Sequence, residues 1–203
     1  MTCRPILMSA PMVRALLDGT KTQTRRIAKC NSDGLNPGMV TPNAGHVPRS
    51  VREHLTYCPY GRPGDRLWVR ETCVAHERES DLVDGVRYLA DGAFIPIANT
   101  QEAADLWVNL NHYRADAAGV ATGKPVPSIH MPRWASRITL RITEVRCERL
   151  QDISAADCLA EGIPHSPDVN PIHEYQELWE SINGVGSWDA NPWVWALTFE
   201  VIK

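Results

Sequence analysis

The sequence predicts a mixed α+β fold around a small β-barrel, not a parallel α/β sheet. Two observations carry this. The order of elements is strand, helix, basic loop, strand, insertion, long strand, helix, helix, strand, so helices are few. The strands also do not alternate with helices as crossover units would require. No internal repeat or low-complexity tract is present, so residues 1–203 are read as a single domain with a loop over 30–64 and an insertion over about 73–132.

Arg4–Met8 reads as a short first strand. Ser9 offers an N-cap and Pro11 is tolerated in the first turn, so a helix is expected over residues 10–18. Met12, Val13, Leu16 and Leu17 recur at helical spacing, and Gly19 stands where a C-cap glycine belongs. Residues 30–64 carry Asn36-Pro37-Gly38, Thr41-Pro42-Asn43 and Arg62-Pro63-Gly64-Asp65, which are turn signals, and no sustained period. Arg66–Thr72 alternates polar and apolar residues, with Leu67 and Val69 on one face and Trp68, Arg70 and Thr72 on the other.

Within the insertion, Val86–Ala90 and Ala93–Ile97 flank the Asp91-Gly92 turn as a hairpin, and Ala103–Leu110 forms a short helix. Ser136–Glu148 is the clearest strand, with Ile138, Leu140, Ile142 and Val145 apolar. Ser154 caps a helix over Ala155–Glu161 that stops at Gly162. Glu174–Asn183 is an amphipathic helix with Tyr175, Leu178, Trp179 and Ile182 on one face. Trp193–Ile202 is nearly all apolar, which is the pattern of a strand buried on both faces.

A net charge of −3 argues against general nucleic-acid coating and leaves room for a local basic pocket. The six cysteines (Cys3, Cys30, Cys58, Cys73, Cys147 and Cys158) are scattered, without a C-x-x-C pair or a Cys/His cluster. They are read as reduced and mostly buried, and no metal or cofactor is assigned; His130 has no partner at metal spacing. No apolar run reaches the roughly 18 residues of a membrane span and no signal-peptide core is seen, so a cytoplasmic, soluble protein is expected.

The chemistry concentrates in Gly19-Thr20-Lys21-Thr22-Gln23-Thr24-Arg25-Arg26, which sets one amine, three hydroxyls and two guanidiniums beside a helix end. A plain solvated turn fits this composition. So does a catalytic set, because a threonine hydroxyl becomes nucleophilic only when a neighbouring base takes its proton, and Lys21 can be that base if burial or nearby Arg25 and Arg26 lower its pKa. Residues three apart on an extended strand point to opposite faces, so pairing Lys21 with Thr24 requires a turn between them. Arg25 and Arg26 are candidate phosphate or carboxylate contacts, and Arg25 also fits surface charge. Trp68 and Trp188 are candidate pocket walls; Trp179 and Trp195 read as core. An oxyanion donor could be Arg26, a backbone N–H near the turn, or Asn183.

Gly19-x-Lys21-x-x-Thr24-x-Arg26, Pro63-Gly64-Asp65 before Leu67–Glu71, and Asp152-Ile153-Ser154 leading to Ala160-Glu161-Gly162 together resemble the ASCH family of the PUA-like superfamily. The Trp193-Val194-Trp195 strand and the Ser187-Trp188-Asp189-x-Asn191-Pro192 approach resemble the ASCH proteins commonly encoded in prophages. The resemblance covers residues 4–27, 61–72 and 134–202. It implies a PUA-like barrel and a cleft associated with RNA or modified nucleosides. Small ASCH amidohydrolases deacetylate N4-acetylcytidine, and their motif falls here on Lys21 as base, Thr24 as nucleophile and Glu161 as supporting acid/base. Substrate contacts are expected from Arg25, Arg26, Trp68, Arg70, Glu71 and Trp188. The expected function is therefore a nucleoside- or nucleotide-directed hydrolase with a nucleoside or RNA ligand. A non-catalytic RNA or modified-base binding module and a ribonuclease are the alternatives.

Overall fold

The computed structural model describes residues 1–28, 58–114, 123–164 and 168–202. Most of the loop expected over 30–64 lies outside the described residues. Strands β1 (Cys3–Leu7), β2 (Gln23–Ile27), β3 (Arg66–Arg70), β4 (Cys73–Arg78), β5 (Val83–Tyr88), β6 (Phe94–Pro96), β7 (Thr139–Arg149) and β8 (Trp193–Ile202) accompany helices α1 (Ala10–Leu17), α2 (Gln101–Asn111), α3 (Ala155–Ala160) and α4 (Pro171–Asn183). The fold is mixed α+β, as expected from the element order.

The expected closed barrel is corrected. Among the described residues the strands form an open five-stranded sheet, β1-β3-β7-β8-β2, and a separate three-stranded sheet, β4-β5-β6. Closure requires the terminal strands of the larger sheet to pair, and β1 and β2 stand at its two edges. The chain divides into two compact units: Met1–Arg4, Ala15–Leu67 and Thr139–Lys203 form the first, and Pro5–Arg14 with Trp68–Ile138 the second. The second contains the whole stretch read as an insertion.

In the first unit, β8 runs antiparallel to both β2 and β7. Directly opposed residues share a face, so the register sorts the sheet. One face carries Thr24, Leu197 and Val145 in one row, with Ile142 opposite Phe199 and Leu140 opposite Val201. The other carries Gln23, Thr198 and Glu144, then Arg25, Ala196 and Arg146. A bulge between Ile142 and Glu144 explains why the apolar positions step from 140 and 142 to 145 without leaving their face. Val194, Trp195, Ala196 and Leu197 are all buried, so this half of β8 is covered on both faces; Glu200 and Val201 are exposed.

Helix α3 is held by a full capping box between Ser154 and Asp157. Helix α4 is capped by Asn170 and begins with Pro171, one turn earlier than the apolar pattern indicated. Tyr175 and Trp179 are buried in a core with Leu150, Ile153, Cys158, Ile163, Trp188 and Val194, and Leu178 packs at its edge. Ile182, expected on that face, is 55% exposed, and Leu17 of α1 is 46% exposed, because each lies in the last turn of its helix beyond the buried stripe.

In the second unit, β4 and β5 pair antiparallel with Val86 opposite Ala75, and β6 returns along β5. The hairpin around Asp91-Gly92 is as expected; β4 is an additional strand. Its core gathers Cys73, Ala75, Val86, Tyr88, Leu110, Val126, Met131 and Ala135. Arg137 donates to both Glu71 oxygens, at 2.8 and 2.9 Å, and to both Asp91 oxygens, at 2.9 Å each. Its guanidinium lies 4.1 Å from the Tyr88 ring centroid.

Candidate active site

The first functional side chain is placed by the end of α1. Gly19 takes φ +76° and its N–H bonds to Leu16 O at 3.2 Å, while Lys21 N–H returns to Ala15 O at 3.0 Å. The backbone then runs extended. Thr22 N–H donates to Ala160 O at 2.8 Å, Thr22 O accepts from Phe199 N–H at 2.9 Å, and β2 begins at Gln23. The turn required to bring Lys21 and Thr24 together therefore does not form. Instead Lys21 and Glu161 make an isolated antiparallel bridge.

Two-residue periodicity puts Lys21, Gln23 and Arg25 on one face. Lys21 Nζ donates to Glu161 Oε2 at 2.8 Å and to Glu161 O at 2.7 Å. The second bond caps the C-terminus of α3, where an exposed carbonyl favours a cation. Arg25 donates to Glu161 Oε1 at 3.3 Å, Gln23 Oε1 at 2.6 Å and Glu148 Oε1 at 2.7 Å, and lies 3.2 Å from Asp157 Oδ2. Arg146 closes the network, with Asp157 at 3.1 Å and Glu148 at 3.2 Å. Ala196, between Arg25 and Arg146 in the register, leaves room for both guanidiniums.

Lys21 is 1% exposed, Arg25 2% and Glu161 5%. Burial lowers the Lys21 pKa; Glu161 opposes that, while Arg26 and Arg25 add to it. Burial works against a charged Asp157, yet hydrogen bonds from Gln23 and Ser154 and the Arg25 cation hold its carboxyl down at about 2. Burial pushes the Cys158 thiol up to about 11, with Arg25 opposing and Glu161 adding to the rise. Tyr175 is likewise raised, by burial first and then by Glu161. No protein-family model, curated protein or solved structure matches the chain.

The structure thus brings together Lys21, Glu161 and Arg25. Arg25 is corrected from surface charge to a buried hub, because its place on β2 turns it under α3. Thr24 is fully buried on the opposite face, in a row with Leu197 and Val145, and its hydroxyl has no hydrogen-bond partner. Neither Lys21 nor Glu161 reaches it. Arg26 is half-buried, donates to Arg25 O at 3.1 Å, and opposes the burial that raises the Tyr60 pKa. Trp188 is 8% exposed and meets Tyr175 edge-on at 6.3 Å, so it fills the core. Asn183 donates to Trp179 O within its own helix. Trp68, Arg70 and Glu71 belong to the second unit, where Glu71 is engaged by Arg137.

Gln23, Glu148, Asp157 and Arg146 form the part that sequence reasoning missed. One signal was present: Lys21-x-Gln23-x-Arg25 alternates polar residues at strand spacing. Their carboxylate partners, 123 to 140 residues away, carry no local signature. Among the described residues no group of three or more His, Cys, Asp and Glu could hold a metal ion. No helix among them is long and apolar enough to cross a membrane.

Proposed function

We propose that this chain hydrolyses an acylated exocyclic amine of a cytidine-type nucleoside or nucleotide, with Lys21 as base and Glu161 as the carboxylate that holds it. The observation that supports this is the buried Lys21–Glu161 pair, in which burial lowers the lysine pKa and a carboxylate 2.8 Å away fixes its amine. A lysine nearer to neutrality can take a proton at physiological pH, which an ordinary lysine cannot do. The resemblance to ASCH amidohydrolases, with a PUA-like core, supplies the substrate class.

The geometry favours water as the nucleophile. Neutral Lys21 accepts a proton from water as the oxygen bonds to the acyl carbon. When the carbon–nitrogen bond breaks, the Lys21 ammonium returns that proton to the departing amine, leaving a carboxylic acid and the free amine. Thr24 faces an apolar layer and lacks the base that a threonine nucleophile needs.

The test is acetate release from N4-acetylcytidine by the purified protein. Lys21→Ala and Glu161→Gln are expected to abolish it. Thr24→Val is expected to retain it, and its loss in that variant alone would return the nucleophile to Thr24. A second reading, a non-catalytic RNA or modified-base binding module, is favoured by the near-complete burial of Lys21, Arg25 and Glu161. It predicts nucleoside or RNA affinity without turnover.

A further inference from the structure

The second unit treats its arginines in two ways. Arg78 and Arg137 are neutralised by Asp81 and by Glu71 with Asp91. Among the described residues neither Arg70 nor Arg114 makes an ion pair; each lies instead over an aromatic ring. Arg70 sits 5.4 Å from the Trp68 ring centroid, and Arg133 approaches the same ring at 5.5 Å. Arg114 sits 5.5 Å from the Tyr113 ring centroid, and Tyr113 meets His130 at 5.6 Å.

The two clusters are continuous. Arg70 donates to Ile129 O, and Ile129 adjoins His130, whose ring leads on to Tyr113 and Arg114. Arg114, Ile129, His130 and Arg133 are exposed, and Trp68, Arg70 and Tyr113 are half-buried. The Nε of Arg70 is buried without a hydrogen-bond partner, so part of its donor capacity is unused.

We infer that this stripe, from Arg133 and Trp68 through Arg70 and His130 to Tyr113 and Arg114, binds single-stranded RNA. Guanidiniums held flat on aromatic rings keep their charge and present planar faces, so they pair with phosphates and stack on unpaired bases. A duplex hides its base faces and offers only the charge. The stripe is confined to one unit of a chain with net charge −3, so it is a local positive patch on an acidic molecule. This inference does not depend on whether the Lys21 site is catalytic.

Fluorescence anisotropy of the full chain with a labelled oligouridine of about 12 nucleotides tests it. Binding should be tighter than to an RNA duplex of equal length. Arg114→Ala/Arg133→Ala should weaken binding and flatten the slope of log affinity against log salt by about 1.4, which is about 0.7 for each phosphate that is no longer neutralised. Trp68→Ala should weaken binding with less change in that slope. Circular dichroism confirms that each variant is folded. Absent binding, equal affinity for the duplex, competition by polyphosphate of equal charge as strong as by RNA, or an equal weakening in Arg87→Ala would each overturn the inference.

Discussion

Replacing Glu161 with Gln probes the buried pair most directly. Glu161 is 5% exposed and Lys21 1%, so water screens little of their interaction. The substitution leaves an acceptor for Lys21 and removes the charge, and breaking one side of a buried ion pair costs about 3–5 kcal/mol. Titration sets a ceiling. An unpaired buried lysine sheds its proton, and for an ordinary value of 10.5 this costs about 5 kcal/mol near pH 7, about 1.4 kcal/mol per unit. The native protein already bears part of that cost, because burial lowers the Lys21 pKa. Arg25 keeps Glu148 and Asp157 and is not orphaned.

Urea unfolding followed by tryptophan fluorescence is expected to show a loss of about 3–5 kcal/mol near pH 7. The pH dependence separates this cause from a packing defect. The folded pKa of Lys21 lies below its unfolded value, so between the two the unfolded chain binds more protons and stability rises with pH. Removing Glu161 deletes the group that raises the folded pKa and extends this window downward. The deficit of the variant should therefore shrink by about 1.4 kcal/mol per pH unit as pH rises toward 10.5. Arginine stays protonated throughout, so Arg25 adds no slope. A deficit under about 1 kcal/mol, the range of an exposed pair, or one that stays flat up to about pH 9.5, would refute the account of a desolvated, charge-held lysine.

Thr24→Val removes a buried hydroxyl that has no partner and lies beside Leu197 and Val145. It should stabilise the chain by about 1 kcal/mol in the same urea assay. Asp157 falls from 3.8 to about 2 on folding, so its contribution of about 2 kcal/mol is full above pH 3.8 and lost as pH falls toward 2. Asp157→Asn should remove that component of acid unfolding, read as a shallower fall in stability below about pH 4. Gly162→Ala places a Cβ 3.0 Å from Ala15 Cβ and 3.2 Å from Lys21 Cβ at φ +88°. It should lower the Tm by more than about 2–4 °C and reduce acetate release. Gly19→Ala, at φ +76° with nothing within 4 Å, meets only the backbone strain of about 1 kcal/mol.

Much of the local structure was legible. The period-two pattern of Leu67 and Val69 and the apolar run of β8 gave strands close to their observed bounds, because side-chain alternation is a property of a few consecutive residues. Ser154 and Gly19 marked helix ends for the same reason: capping is settled within one turn. The step from Ile142 to Val145 even carried the trace of the β7 bulge. Strand β4 escaped, since Cys73, Val74 and Ala75 are all buried and offer no alternation.

Taken alone, the sequence determined that residues 19–26 concentrate charge at a helix end, and the resemblance pointed to Lys21 and Glu161. It could not choose Lys21's companions. That choice belongs to tertiary structure: the register of β2 on β8 turns Gln23 and Arg25 toward α3 and Thr24 toward Leu197. A hydroxyl three residues from a lysine looks near in sequence, yet on an extended strand it faces the other way. Glu148, Asp157 and Glu161 reach the same charges across more than 120 residues, because the antiparallel β7–β8–β2 layer and the capped turn of α3 bring them there.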